Sequence, residues 1–189
     1  MTGRAPLSRR APELRRNAVL DAATELFFAN GTAQTSIDAI AQSAGVAKGT
    51  VYLYFSSKDE ILQELETRFN ARLMHRTREA SLQADTLAEA AQAWCEALAI
   101  AYLDEIEVHD MLFYGRSTAR REDMADNPLI DQLSVLLASQ GATDPTATAA
   151  FLLGGTIHVI DRAVGNGPVT DRPPLMRTIR RLVTAAVTA

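Results

Sequence analysis

Apolar residues recur along the chain at spacings of three and four, and clean two-residue alternation is missing. That spacing lines up one face of a 3.6-residue helix and predicts an all-helical fold. Val19, Ala22, Ala23, Leu26 and Phe27 form the first such stripe. The helix carrying it is expected from near Pro12 to Asn30-Gly31, because proline suits the first helical turn and glycine the left-handed position after the last. Next, "TSIDAIAQSAG" reads as a short helix with Ile37, Ile40 and Ala41 inward, opened by Thr35 with Asp38 three residues on as a capping pair, and closed at Gly45. Val46 re-enters the core before a further helix from about Ala47 to Tyr54. Two short helices joined by a turn of three to four residues containing glycine make a helix-turn-helix, whose second helix can enter the major groove of DNA.

The same periodicity predicts the rest. Ser57-x-x-Glu60 opens a helix with Ile61, Leu62, Leu65, Phe69 and Leu73 as its stripe, running to about Ser81. Thr86-x-x-Glu89 opens another through Trp94, Leu98, Ala101 and Tyr102, followed by the less regular aromatic stretch "HDMLFYGRS". Asn127-Pro128 begins a helix that ends at Gly141, Asp144 one that ends near Val164, and Pro173-Pro174 a last one. The organisation expected is a tail and helix-turn-helix domain over 1–57 and a larger helical domain over 58–189.

Charge changes this picture in one respect. The net charge is −4, which as an average argues against a polyanionic partner. It is unevenly spread: Arg4, Arg9, Arg10, Arg15 and Arg16 stand against Glu13 alone in the first sixteen residues, whereas Leu82 to Gly115 holds only acidic charge until Arg116. The basic end favours DNA. At 189 residues and 47% apolar content the chain can bury a substantial core. No unbroken run approaches the roughly 18 apolar residues of a membrane span, and the N-terminus lacks an apolar leader core, so a cytoplasmic protein is expected. The single Cys95 excludes an internal disulfide, and His75, His109 and His158 have no metal-ligand spacing. No metal and no cofactor are expected.

The stretch "AGVAKGTVYLYFSSKDEI" carries the candidate chemistry. Lys48 offers a mobile charge, Gly49 permits close approach, Thr50 offers a hydroxyl and a methyl, and the Tyr52 and Tyr54 hydroxyls can reach phosphates, while Val51 and Phe55 face the core. Lys58, in the first turn of the next helix, is expected to help hold a phosphate there. In motif order, spacing and length, "TSIDAIAQSAGVAKGTVYLYFSSKDEIL" resembles the DNA-binding signature of the TetR family of transcriptional regulators, over about Asn17 to Leu65. The resemblance implies a homodimeric regulator with an N-terminal helix-turn-helix and a C-terminal domain that binds a small-molecule effector. By that resemblance Thr35, Lys48, Gly49, Thr50, Tyr52, Tyr54 and Lys58 align with DNA-contacting positions, and Arg9 and Arg10 are candidates for a neighbouring groove. Ala47 departs from the pattern, standing where many members place a capping Ser or Thr; a lost cap costs about 1 kcal/mol of helix stability.

Outside that stretch, Trp94, Leu98, Tyr102, Met111, Phe113 and Tyr114, with His158, are candidates to line an effector pocket, and equally residues of an ordinary core. The acidic middle suggests a cationic effector countered by Glu96 or Asp104, against the plainer reading of a solvated helix face. Cys95 reads as a small buried hydrophobe and not as a redox sensor. Gly154-Gly155 within a long helix costs about 1 kcal/mol per residue against alanine and calls for close packing. The apolar positions of the last two helices exceed one intramolecular contact. Phe151, Gly154, Gly155 and Ile157 with Leu175, Ile179, Leu182 and Val183 are therefore expected to form a dimer interface as a four-helix bundle. The function expected is a repressor released from a near-palindromic operator by its effector. Alternatives are an activator or corepressor-dependent regulator, an all-helical small-molecule enzyme, for which no nucleophile-base pair or phosphate-cradling loop is found, and a protein-interaction module.

Overall fold

A computed structural model describes residues 7–113, 127–165 and 167–188, and the regular structure among them is helical throughout. The helices are α1 Leu7–Asn30, α2 Ile37–Ser43, α3 Lys48–Tyr52, α4 Lys58–Ser81, α5 Leu87–Asp104, α6 Ile106–Phe113, α7 Pro128–Ser139, α8 Pro145–Val164 and α9 Pro173–Thr188. The chain divides into two compact units, one of Met1–Arg68 with Glu107–Ser117 and one of Phe69–Ile106 with Thr118–Ala189, so α4 starts in the first and ends in the second.

In the first unit α1 packs on α2 and α2 on α3. Val19, Leu20, Ala23 and Phe27 of α1, Ile40 and Ala41 of α2, Val51 of α3 and Phe55 beyond it are buried, with Ile61, Leu62 and Leu65 of α4. Two sequence expectations are corrected. α1 begins at Leu7, with Pro12 inside it rather than at its start; a proline this near the end forfeits one backbone bond, from its missing N–H to the carbonyl four residues back. The cap of α2 is Ser36, whose hydroxyl accepts from the Ala39 N–H at 3.1 Å; Thr35 lies one residue too early and is buried. The turn that follows is a Schellman closure. Gly45 has φ +66°, and the Val46 N–H reaches back to the Ala41 carbonyl at 3.0 Å.

The second unit is a bundle: α9 lies on α5, α7 on α8, and α5 also meets α7 and α8. Its interior holds Trp94, Cys95, Leu98 and Tyr102, Leu133 and Leu137, Leu152 and Ile160, and Ile179 and Val183. The capping residues read from the sequence are in place. The Glu89 N–H donates to Thr86 Oγ1 at 3.2 Å, Leu129 N–H to Asn127 Oδ1 at 2.9 Å, and Ala147 N–H to Asp144 Oδ1 at 3.3 Å. α8, at 20 residues, is long and apolar enough to cross a membrane by length and composition, which a count of unbroken apolar residues does not register; here Ala149, Leu152, Leu153, Thr156 and Ile160 are buried in the bundle.

Candidate functional site

The turn between α2 and α3 presents a short helix with one face anchored and the other open. Val51 is fully buried and Phe55 nearly so, whereas Tyr52 is 50% exposed and Leu53 80%. Lys48 and Gly49 are exposed, and Thr50 and Tyr54 are half-buried. Gly49 is not required by internal packing, because a Cβ built there meets nothing within 4 Å. That space lies on the exposed side of α3. Ala47 makes no side-chain cap, and the start of α3 is closed by backbone bonds, including Thr50 N–H to the Ala47 carbonyl at 2.8 Å.

Lys48 is not solitary. Its ammonium donates to Asp38 Oδ2 at 2.9 Å across the turn, and this hydrogen bond holds the lysine above its ordinary pKa of 10.5. The sequence reading used Asp38 only as a helix-start residue; its spacing of ten from Lys48 gives no periodic signal, and only the folded turn brings the two together.

Lys58 and Thr35 take a different place from the one expected. The Lys58 ammonium donates to the carbonyls of Thr32 at 2.5 Å, Thr35 at 3.1 Å and Ala33 at 3.4 Å. Its three protons are used in tying down the loop between α1 and α2, so it does not stand as an open phosphate clamp. The Thr35 hydroxyl points its one proton inward, shared between the Gly31 carbonyl at 2.9 Å and the Leu26 carbonyl at 3.2 Å, with the residue 4% exposed. Neither side chain is available to DNA in this arrangement. The start of α4 is fixed by Ser57, which accepts from the Glu60 N–H at 3.2 Å. Glu60 in turn accepts from the Ser56 hydroxyl at 2.7 Å and the Ser56 N–H at 2.6 Å. Those bonds hold the Glu60 carboxyl below its ordinary pKa. Arg16 bridges to Glu64 at 2.7 Å and lies over the Phe55 ring, joining α1 to the same scaffold. The side chains of Arg9 and Arg10 lie outside the described residues.

Of the effector candidates, Trp94, Leu98 and Tyr102 share the buried face of α5 at intervals of four, each no more than 1% exposed. Their polar atoms have partners. The Trp94 indole N–H donates to Gln132 Oε1 at 2.9 Å, Thr77 donates to the same oxygen at 2.7 Å, and Gln132 Nε2 donates to the Met74 carbonyl at 2.9 Å. Tyr102 donates to Asp161 Oδ1 at 2.7 Å. Met111 and Phe113 are half-buried on α6, where the Phe113 ring lies 4.8 Å from that of His109. Tyr114 lies outside the described residues. His158 is exposed on α8 rather than within a core, which removes it from an interior pocket.

Glu96 and Asp104, the counter-charges a cationic effector would need, already have arginine partners. Arg180 grips Glu96 with both ends of its guanidinium at 2.6 and 2.8 Å, and Asp104 is met by Arg172 at 2.6 Å and Arg76 at 3.3 Å. Arg72 takes Glu105 at 2.5 Å. Three carboxylates of the acidic middle, Glu96, Asp104 and Glu105, are thus met by arginines from α4, α9 and the approach to α9. Cys95 is fully buried, and burial pushes its thiol from 9.0 up to about 12, in keeping with a small hydrophobe.

The candidate dimer residues divide in two. Phe151, Gly154, Gly155 and His158, at i, i+3, i+4 and i+7, form one exposed face of α8, with Phe151 68% exposed; Leu182 on α9 is 48% exposed. A Cβ at Gly154 or Gly155 meets nothing within 4 Å, so the close packing expected there is not made among the described residues. Ile157 and Leu175 are half-buried. Ile179 and Val183 are 2% and 3% exposed inside their own bundle, and the sequence pattern had counted this inward stripe of α9 with the outer one.

An all-helical chain with an anchored helix-turn-helix and a separate helical bundle is the architecture of a DNA-binding regulator. Residues 19–65 match the model of the bacterial regulatory proteins, tetR family. The fatty acid metabolism regulator protein of Bacillus subtilis (strain 168) is 49% identical over 47 residues, 25% of this chain and 24% of that protein. The HTH-type transcriptional regulator SrpR of Pseudomonas putida is 46% identical over 48 residues, 25% of this chain and 22% of that one. The matched stretch thus spans about a quarter of these curated relatives. The fold extends further. The solved structure of the transcriptional regulator FadR from Bacillus subtilis in complex with stearoyl-CoA has a TM-score of 0.74 at 20% identity, covering 91% of this chain and 99% of that chain. The relatives matched are transcriptional regulators and not enzymes.

Proposed function

We propose that the protein is a ligand-responsive transcriptional repressor that binds a near-palindromic operator as a homodimer in the cytoplasm and leaves it when a small molecule occupies the C-terminal bundle. The observation that carries this reading is the α2–α3 unit, whose back face is buried through Ile40, Val51 and Phe55 while Lys48, Gly49, Thr50, Tyr52 and Tyr54 look outward. In this reading 1–57 reads DNA and 58–189 senses and dimerises. Thr50 and the glycine beside it enter the groove, Lys48 and the tyrosine hydroxyls hold phosphates, and Lys58 and Thr35 keep the scaffold in shape.

The dimer is supported by the exposed Phe151, Gly154, Gly155 and Leu182, an apolar and small surface that a second copy would cover, with Ile157 and Leu175 at its edge. Two recognition helices must then meet successive major grooves about 34 to 36 Å apart. An effector that prefers a conformer with another spacing weakens DNA binding by its differential affinity, and α4 is the continuous element through which a shift in the bundle reaches the reading head. A FadR of the same fold is solved with stearoyl-CoA, which makes acyl-CoA a first compound to try.

Selection of bound sequences from a random DNA pool by the purified protein, followed by salt titration on the winner, tests the reading. A near-palindromic winner whose affinity falls steeply with salt is the expected result. No enrichment at low salt, with and without added cell extract, rejects it.

A further inference from the structure

The first thing the recognition helix meets is its own protein. Lys48, the charge best placed on α3 to take a phosphate, is already bound to Asp38 of α2 at 2.9 Å, and both side chains are more than half exposed, at 51% and 65%. An exposed pair of this kind is weak and readily exchanged. Asp38 is not needed to start α2, because Ser36 caps it. Nor does it brace a buried charge, since Lys48 projects from an open helix face.

We propose that Asp38 is a built-in competitor for the DNA phosphate at Lys48. The lysine passes from an internal carboxylate to the duplex, and Asp38 thereby sets how tightly the helix-turn-helix holds DNA of any sequence. This role rests on the DNA-binding reading above. Its physical basis is an exchange: a phosphate neutralised by Lys48 releases a condensed counterion, while the bared Asp38 carboxylate faces the duplex and regains a cation from solution. Binding is weaker and less salt-dependent than five outward-facing contact residues alone would make it. A reading head tuned down in this way can be released by a modest effector preference, since the operator complex is not excessively stable.

A double-mutant cycle tests it, with the selected duplex and a scrambled duplex of the same length and composition as probes. Asp38→Asn is expected to tighten both complexes several-fold and to steepen the slope of log K against log salt by up to about one. In a Lys48→Ala background the same substitution is expected to change neither quantity, and Asp38→Glu, which keeps the carboxylate, to stay near wild type. Equal tightening with and without Lys48 would assign the effect to long-range repulsion and overturn the exchange, as would no tightening at all. Failure of the underlying reading looks different: wild type and Asp38→Asn then both bind neither duplex at low salt, and both ideas fall together.

Discussion

At the scale of single residues, two lysines ten positions apart have opposite jobs. Lys48 is held by one exposed carboxylate and can leave it, whereas Lys58 is held by three loop carbonyls and cannot leave without unmaking the loop. Lys58→Met is therefore expected to lower stability by about 1 to 2 kcal/mol, as lost hydrogen bonds to a charged group do, and a urea titration followed by circular dichroism measures it. Lys48→Ala is expected to leave the urea midpoint in place and to weaken operator binding with little change in its salt slope while Asp38 is present, and Tyr54→Phe to weaken binding without unfolding. Cys95 makes a pH prediction. Its folded thiol titrates near 12 against an ordinary 9.0, so above pH 9 the unfolded chain loses its proton first and stability falls as pH rises toward 12. Urea midpoints between pH 8 and 10.5 should decline more steeply in wild type than in Cys95→Ala. An equal decline would show that Cys95 is not the titrating group.

Among the elements, α3 and the Gln132 network show where local rules and packing divide the work. α3 has five residues and no side-chain cap, so it depends on the buried Val51 and on its turn. Ala47→Ser is expected to raise stability by about 1 kcal/mol and to tighten operator binding modestly, through a better-ordered helix start. An unchanged thermal midpoint would show that the backbone at residue 47 cannot present a cap. The Gln132 side chain joins α4, α5 and α7 by bonding Met74, Thr77 and Trp94. Gln132→Leu strands a buried indole N–H, at a cost of about 1 to 3 kcal/mol. Trp94, the chain's single tryptophan, reports the change directly by fluorescence. Periodicity had marked Trp94 as core or pocket and could go no further, because Gln132 is far away in sequence and carries no pattern.

For the whole molecule, the proposed dimer turns on the exposed face of α8. Phe151→Arg, or Leu182→Glu on α9, is expected to give a folded monomer by sedimentation, whose affinity for a two-half-site operator drops by orders of magnitude while half-site affinity is kept. A dimer that persists in both variants would place the interface elsewhere.

The sequence by itself determined most of the helices, the openings at Thr86, Asn127 and Asp144, and the helix-turn-helix whose stretch matches the tetR-family model, since each rests on spacing within a few residues of chain. Turn chemistry and the 3.6-residue repeat are local, and a local signal survives without the fold. Tertiary structure alone decided that Lys58 and Thr35 serve the scaffold, that Asp38 holds Lys48, and that Glu96 and Asp104 of α5 are already paired with arginine. It also separated the inward Ile179 and Val183 from the outward Phe151 and Leu182. Each of these depends on which distant groups meet. A charge or an apolar side chain reads the same in the sequence whether its partner lies in the same chain, in a second copy or in DNA.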